Sequence, residues 1–210
     1  MTAAAPLHLP ATSALDEETA RAELYGLLAQ LFYAPAPAPL LAALRLAVTE
    51  APMAGGFLQE PWQQLVGAAR AHGDGAIAAE YEALFGGIGK PEVYLYASHY
   101  LSGFLNEKPL ARLRGDLAQL GLGRGAAMPE TEDHVAYLYE VMRYLIAGDD
   151  GAVCHLAAQR RFFADHLQPW LGALCDALQA HPQARFYGAL ARMAQAFATV
   201  EAQGFDMLDG

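Results

Sequence analysis

Apolar positions recur along this chain at steps of three and four residues, the spacing that lays side chains along one stripe of an α-helix. Leu24, Leu27, Leu28 and Leu31 make such a stripe within about Asp16–Tyr33, where Asp16, Glu17 and Glu18 suit the positive end of a helix and Pro35 stops it. The same reasoning predicts helices over about Leu40–Glu50, Pro61–Ala71 and Asp74–Phe85, the last with Ile77, Tyr81, Leu84 and Phe85 on one face. Between Lys90 and Asn106 the periodicity is poor and Tyr94, Tyr96 and Tyr100 cluster, which predicts a loop and then a short helix around Ser98–Phe104. Helical spacing returns over Pro109–Leu120, Glu132–Ala147, Ala152–Asp165, Gln168–Ala180 and Ala184–Gln203, where Phe186, Leu190, Met193 and Phe197 form the final stripe.

Composition points the same way. Ala and Leu supply 44 and 31 of the 210 residues, whereas Val, Ile and Thr together supply 16, so good helix formers far outnumber the residues that suit sheets. With 54% hydrophobic residues the chain can bury a core. The expectation is an all-α fold, a single globular helical domain of about 8–10 helices that can divide into two lobes. Three glycines between Gly121 and Met128, ended by Pro129, mark the hinge, giving an N-terminal lobe at 15–128 and a C-terminal lobe at 129–210. Residues 1–14 read as a disordered tail, since Pro6 and Pro10 interrupt them and no basic segment resembles a signal peptide.

Charge and cysteine content narrow the partners. Thirteen basic against 23 acidic residues leave a net charge of −10, which repels phosphate backbones and excludes a nucleic-acid reader; cationic or apolar partners fit better. Only two lysines, Lys90 and Lys108, are present, and no basic recognition helix is visible. Cys154 and Cys175 cannot form a disulfide framework and suit a reducing compartment, the cytoplasm. No run of 18 apolar residues exists to insert into a membrane.

Candidate chemistry concentrates in Glu130-Thr131-Glu132-Asp133-His134, just after the hinge. Thr131 as N-cap, with Glu132 and Asp133 in a first helical turn, is the reading that spacing favours; a functional acidic cluster is the second reading and is compatible with the first. A di-metal site is disfavoured because no Glu is followed three residues later by His, and His72, His99, His155, His166 and His181 show no paired ligand spacing. His166 reads as a core or capping histidine. Gly86-Gly87-Ile88-Gly89-Lys90 is not a phosphate loop: Leu84 stands where the first glycine is required, and Pro91 follows the lysine. The aromatic stretches Tyr81–Phe85 and Phe162–Trp170 fit core stripes.

In this order, these segments resemble the redox-enzyme maturation chaperones of the TorD/DmsD/NarJ family, and TorD-like members most closely. Tyr81-x-x-Leu84-Phe85 resembles the family's aromatic-x-x-Leu-Phe motif, and Glu130-x-x-Asp133-His134 its Glu-Pro-x-Asp-His motif. Phe163, His166, Leu167 and Trp170 resemble its C-terminal pattern, and the likeness spans about residues 16–202. Thr131 stands where the family usually has Pro, so Pro129 would supply the rigid turn. The resemblance implies an all-helical, cytoplasmic, non-enzymatic chaperone. Such a protein binds the twin-arginine signal peptide and the body of an apo-molybdoenzyme until its cofactor is inserted. It further implies a peptide site built from Glu130, Glu132, Asp133, His134, Ser98 and Tyr100, with Tyr81, Leu84 and Phe85 lining or supporting an apolar groove.

No cofactor, metal or catalytic residue is implied, although family members have been connected with guanine nucleotides and weak binding of them is an expectation too. The state is a monomer or a dimer that exchanges lobes through the glycine hinge. The competing expectation is a small all-α hydrolase or nucleotide-binding enzyme with Asp133 as base and His134 as its orienter.

Overall fold

Ten α-helices form among the described residues of the computed structural model, which are 14–49, 56–86, 90–105, 107–125 and 128–207. They are α1 (Ala14–Tyr33), α2 (Ala38–Leu46), α3 (Gln59–Ala71), α4 (Asp74–Phe85), α5 (Ala97–Ser102), α6 (Lys108–Gln119), α7 (Val135–Ala147), α8 (Leu156–His166), α9 (Gln168–Ala180) and α10 (Phe186–Asp206). No strand forms among these residues, so the fold is all-α as the alanine and leucine content requires. None of these helices is long and apolar enough to cross a membrane. The expected tail at 1–14 lies outside the described residues apart from Ala14, and so do Gly87–Gly89.

The chain forms two compact units, and each gathers segments distant in sequence. The first contains Ala34–Val93 and the chain from Cys175 onward. Here α10 packs against α3 and α4, and α2 packs against α3. The expected stripe Phe186, Leu190, Met193 and Phe197 is buried throughout. Arg45 and Arg70 tie α2 and α3 together by each completing the other's helix end. Arg45 donates to Ala69 O at 2.8 Å and His72 O at 3.0 Å, while Arg70 donates to Arg45 O at 2.9 Å and Ala47 O at 3.0 Å. These carbonyls have no partner within their own helices, so the guanidinium groups satisfy them.

A side chain also starts α10. Glu80, on α4, accepts the backbone N–H groups of Phe186 and Tyr187 at 3.2 and 2.8 Å, whereas the residue at the N-cap position, Arg185, makes no capping bond. A negative carboxylate placed on the free amides of a first turn satisfies both the donors and the helix dipole.

The second unit contains 14–33 and Tyr94–Leu174, so the glycine-rich segment at 121–125 lies inside it. Its main helix pair is α1 with α7, which brings the first helix into the unit that holds most of the C-terminal half. The face α1 buries is Tyr25, Leu28, Leu31 and Phe32, rotated from the expected stripe, so Leu24 and Leu27 are half-buried flanks. Tyr25 and Phe32 set their rings 5.8 and 6.2 Å from Tyr139 of α7. Further along, Phe162, Phe163, His166, Leu167 and Trp170 are all buried, and Trp170 Nε1 donates to His166 O at 2.7 Å. This segment is core, as its helical spacing indicated.

Candidate functional site

Two remote segments of the second unit pair in extended form before either becomes helical. Ala97 N donates to Asp133 O at 3.0 Å and Val135 N donates to Leu95 O at 2.8 Å, a single antiparallel bridge centred on Tyr96 and His134. That pairing holds the backbone extended through His134, and α7 begins only at Val135. The expected helix start at Glu132 with Thr131 as cap is therefore corrected. His134 is the N-cap, its Nδ1 accepting the Ala136 N–H at 3.2 Å. The physical reason is that the Asp133 carboxylate is engaged elsewhere and the bridge to Leu95–Ala97 keeps Asp133 and His134 out of helical geometry.

Asp133 is 1% exposed. Its Oδ2 accepts Ser98 N at 3.0 Å and Ser98 Oγ at 2.5 Å, and its Oδ1 accepts Thr131 Oγ1 at 2.6 Å. Ser98 is likewise buried. These two residues form a knot that fixes the loop to α5, and Asp133 and His134 engage different partners rather than each other.

The flanking carboxylates differ. Glu132, 9% exposed, is clasped by both arms of Arg114 at 3.0 and 2.8 Å, and this bond holds its carboxyl below the usual range. Glu130 remains half-buried and takes the hydroxyl of Tyr96. Arg124 closes the turn by donating to Met128 O and Pro129 O at 2.6 and 3.1 Å.

Around His134 stand Tyr96, Tyr137 and Tyr33, with ring centres 5.1, 5.8 and 6.3 Å away. Burial among them lowers the imidazole from 6.5 to about 4, against the opposing pull of Glu130 and Asp133. The Tyr137 hydroxyl is pushed up to about 12, chiefly by burial. Beside these rings opens a cleft of about 190 Å³ lined by Ala29, Gln30, Tyr33, Ala136, Tyr137 and Glu140. It is mostly apolar; its lining carboxylate, Glu140, accepts Arg143 Nε at 2.8 Å, and the Glu130 carboxylate acts on the Tyr137 hydroxyl, a setting that suits a cationic side chain carried on an apolar peptide. Tyr33, Tyr96 and Tyr137 were not singled out as site residues from the sequence; only the clustering of tyrosines before Ser98 hinted at Tyr96.

Tyr100, by contrast, belongs to the packing of the same unit, its hydroxyl on Tyr94 O at 2.9 Å and its ring stacked 5.6 Å from Trp170. Tyr81, Leu84 and Phe85 lie in the first unit. Leu84 is fully buried, and Tyr81 and Phe85 set their rings 5.6 and 5.1 Å from Tyr187, which is buried at the start of α10. Among the described residues, no group of three or more His, Cys, Asp or Glu side chains is arranged to hold a metal ion.

The sequence profile of the family described as nitrate reductase delta subunit matches residues 55–176. The chain belongs to that family. The TorD chaperone protein of Shewanella loihica is 28% identical to it over 217 aligned residues, covering 94% of this chain and 98% of the relative. The TorD chaperone protein of Photobacterium profundum is 28% identical over 134 residues, 60% of this chain and 62% of its own length. A solved structure from Archaeoglobus fulgidus, described as a redox enzyme maturation protein, shares the fold. Its TM-score is 0.54 at 16% identity, across 92% of this chain and 97% of that one. The TorD-like resemblance read from Tyr81, Glu130, Asp133 and Trp170 therefore holds.

Proposed function

We propose that this protein is a cytoplasmic maturation chaperone without catalytic activity. It binds the twin-arginine leader and the apo-form of a molybdoenzyme, and holds it until the cofactor is inserted. The observation that carries the reading is the tyrosine-lined cleft, whose Tyr137 lies within the electrostatic reach of Glu130. A twin-arginine leader is a cationic stretch followed by an apolar one, and its receptor needs carboxylates next to apolar surface. The net charge of −10 would steer such a peptide inward. The names of the TorD relatives agree with this reading, which calls for no resident cofactor.

Within the acidic loop, Glu130 is the carboxylate to place against the leader, because Asp133 is spent on Ser98 and Thr131 and Glu132 on Arg114. Titration calorimetry with an Arg-Arg leader and its Lys-Lys variant tests this in wild type and Glu130→Gln. The arginine leader should bind more tightly to wild type, and Glu130→Gln should remove most of that preference, a coupling of about 1–2 kcal/mol for a partly desolvated pair. Zero coupling, with both proteins binding both leaders equally, would remove Glu130 from recognition.

A further inference from the structure

A second cavity, of about 340 Å³, lies in the same unit as the acidic loop and shares no lining residue with the tyrosine cleft. Its volume is within the ~300–1,000 Å³ range of ligand sites. Its lining joins apolar Leu120, Val153 and Phe162 to charged Asp116, Arg161 and Asp165.

The charges there are unevenly engaged. Asp116 Oδ2 pairs with His166 Nε2 at 2.9 Å, and Arg112 Nη2 donates to Asp165 Oδ1 at 2.8 Å. The other oxygen of each carboxylate faces only Arg161, 3.8 Å from Asp116 Oδ1 and 3.9 Å from Asp165 Oδ2, beyond hydrogen-bond reach among the described residues. Arg161 is itself 67% exposed, so water screens this attraction. Burial lowers the His166 imidazole from its ordinary value, against the opposing pull of Asp116 and Asp165. Arg112, 62% exposed, makes the close contact that Arg161 lacks, so once the weakly held Arg161 is displaced, Asp116 and Asp165 set against Arg112 leave one net negative charge next to apolar surface. A single basic side chain balances it, whereas an anion would meet two carboxylates.

We propose that this cavity receives a basic side chain from a peptide whose neighbouring residue is apolar. Asp116 Oδ1 and Asp165 Oδ2 are the acceptors, and Arg161 is the occupant that the peptide displaces. The proposal rests on the reading of the chain as a peptide-binding chaperone and gives that chaperone a second point of contact with its client.

The test is backbone-amide NMR on the full chain, titrated with acetyl-Leu-Arg-Leu amide and with its citrulline counterpart, which keeps the shape and loses the charge. The arginine probe should shift the amides of Leu120, Ala157, Ala158 and Arg161 and bind about fivefold or more tighter than the citrulline probe. Asp165→Asn should erase most of that preference. Arg161→Gln should act in the opposite direction and tighten the arginine probe about twofold or more, because its competitor is gone. Equal binding of the two probes, or weaker binding to Arg161→Gln, overturns the proposal. A twin-arginine leader that moves amides around Tyr137 but not Ala157 or Arg161 also overturns it and leaves the chaperone reading intact. A leader that moves neither set removes the leader-binding reading as well, while the small probes still decide the cavity.

Discussion

Acidification below pH 6.5 should weaken this fold through His134. In the native chain the ring is 3% exposed and its Nδ1 must stay unprotonated to accept the Ala136 N–H, and burial takes its pKa from 6.5 to about 4. The unfolded chain has no such constraint and binds a proton below about 6.5. Stability is therefore complete above pH 6.5, drains away as the pH falls, and stops changing from this cause near pH 4. At about 1.4 kcal/mol per tenfold difference in proton affinity, the full effect is about 3 kcal/mol, with about 2 kcal/mol gone by pH 5. The control is His134→Asn, whose amide oxygen can still cap the helix but does not titrate. Urea unfolding of both proteins, followed by circular dichroism from pH 7.5 to 4.5, gives a difference curve in which the other titrating groups largely cancel. That curve should fall with decreasing pH on the wild-type side. A flat difference curve, or a His134 midpoint near 6.5 by NMR, would refute the account of a neutral, buried, capping imidazole.

Other substitutions probe single interactions. Glu80→Ala strips the acceptor from the amides of Phe186 and Tyr187 and should cost about 1–2 kcal/mol by denaturant unfolding, with Glu80→Gln recovering part of the loss. Asp133→Asn leaves one carbonyl oxygen to serve three donors, so its main effect should be a stability loss of about 2 kcal/mol, read from the shift in urea midpoint. Arg114→Gln removes the clasp on Glu132. Because that clasp lowers the carboxyl, its stabilisation is present above the ordinary glutamate range and lost as the pH falls through the native value, so wild type and variant should converge in acid. Gly148→Ala would set a methyl carbon 2.7 Å from both Tyr144 O and Cys154 Sγ; a loss of about 1–3 kcal/mol is expected, which Cys154→Ala should only partly relieve because the carbonyl is backbone.

Helices with an uninterrupted apolar stripe could be read from the sequence nearly to their ends, as α4 and α9 were, since burial of one face is a local pattern in the chain. The stripe of α1 was misplaced by a fraction of a turn because Tyr25 and Phe32 compete with Leu24 and Leu27 for the core, and only the partner α7 decides between them. The start of α7 was not legible for a related reason. Thr131-Glu132-Asp133 has the composition of a capped first turn, but Ser98, 35 residues earlier, claims the Asp133 carboxylate. Glu80 on α10, His166 on Asp116 and Arg114 on Glu132 are likewise meetings of distant positions that no periodicity announces. In the acidic loop, residue types were visible in the sequence but their division of labour was not. Which carboxylate is buried and which reaches solvent is settled by partners such as Arg114, Ser98 and Tyr96.

The Ser98–Asp133 knot has a kinetic consequence. α5 is only six residues long, and one of its first amides takes its acceptor from a side chain far along the chain. So short a helix has little stability alone. The segment 94–102 and the entry to α7 should then open and close as one cooperative unit, and the Ser98 and Ala136 amides should exchange with solvent deuterium at a common opening free energy. A client peptide that seats against Glu130 would slow both together, and exchange would register its arrival at Ser98 without any contact there.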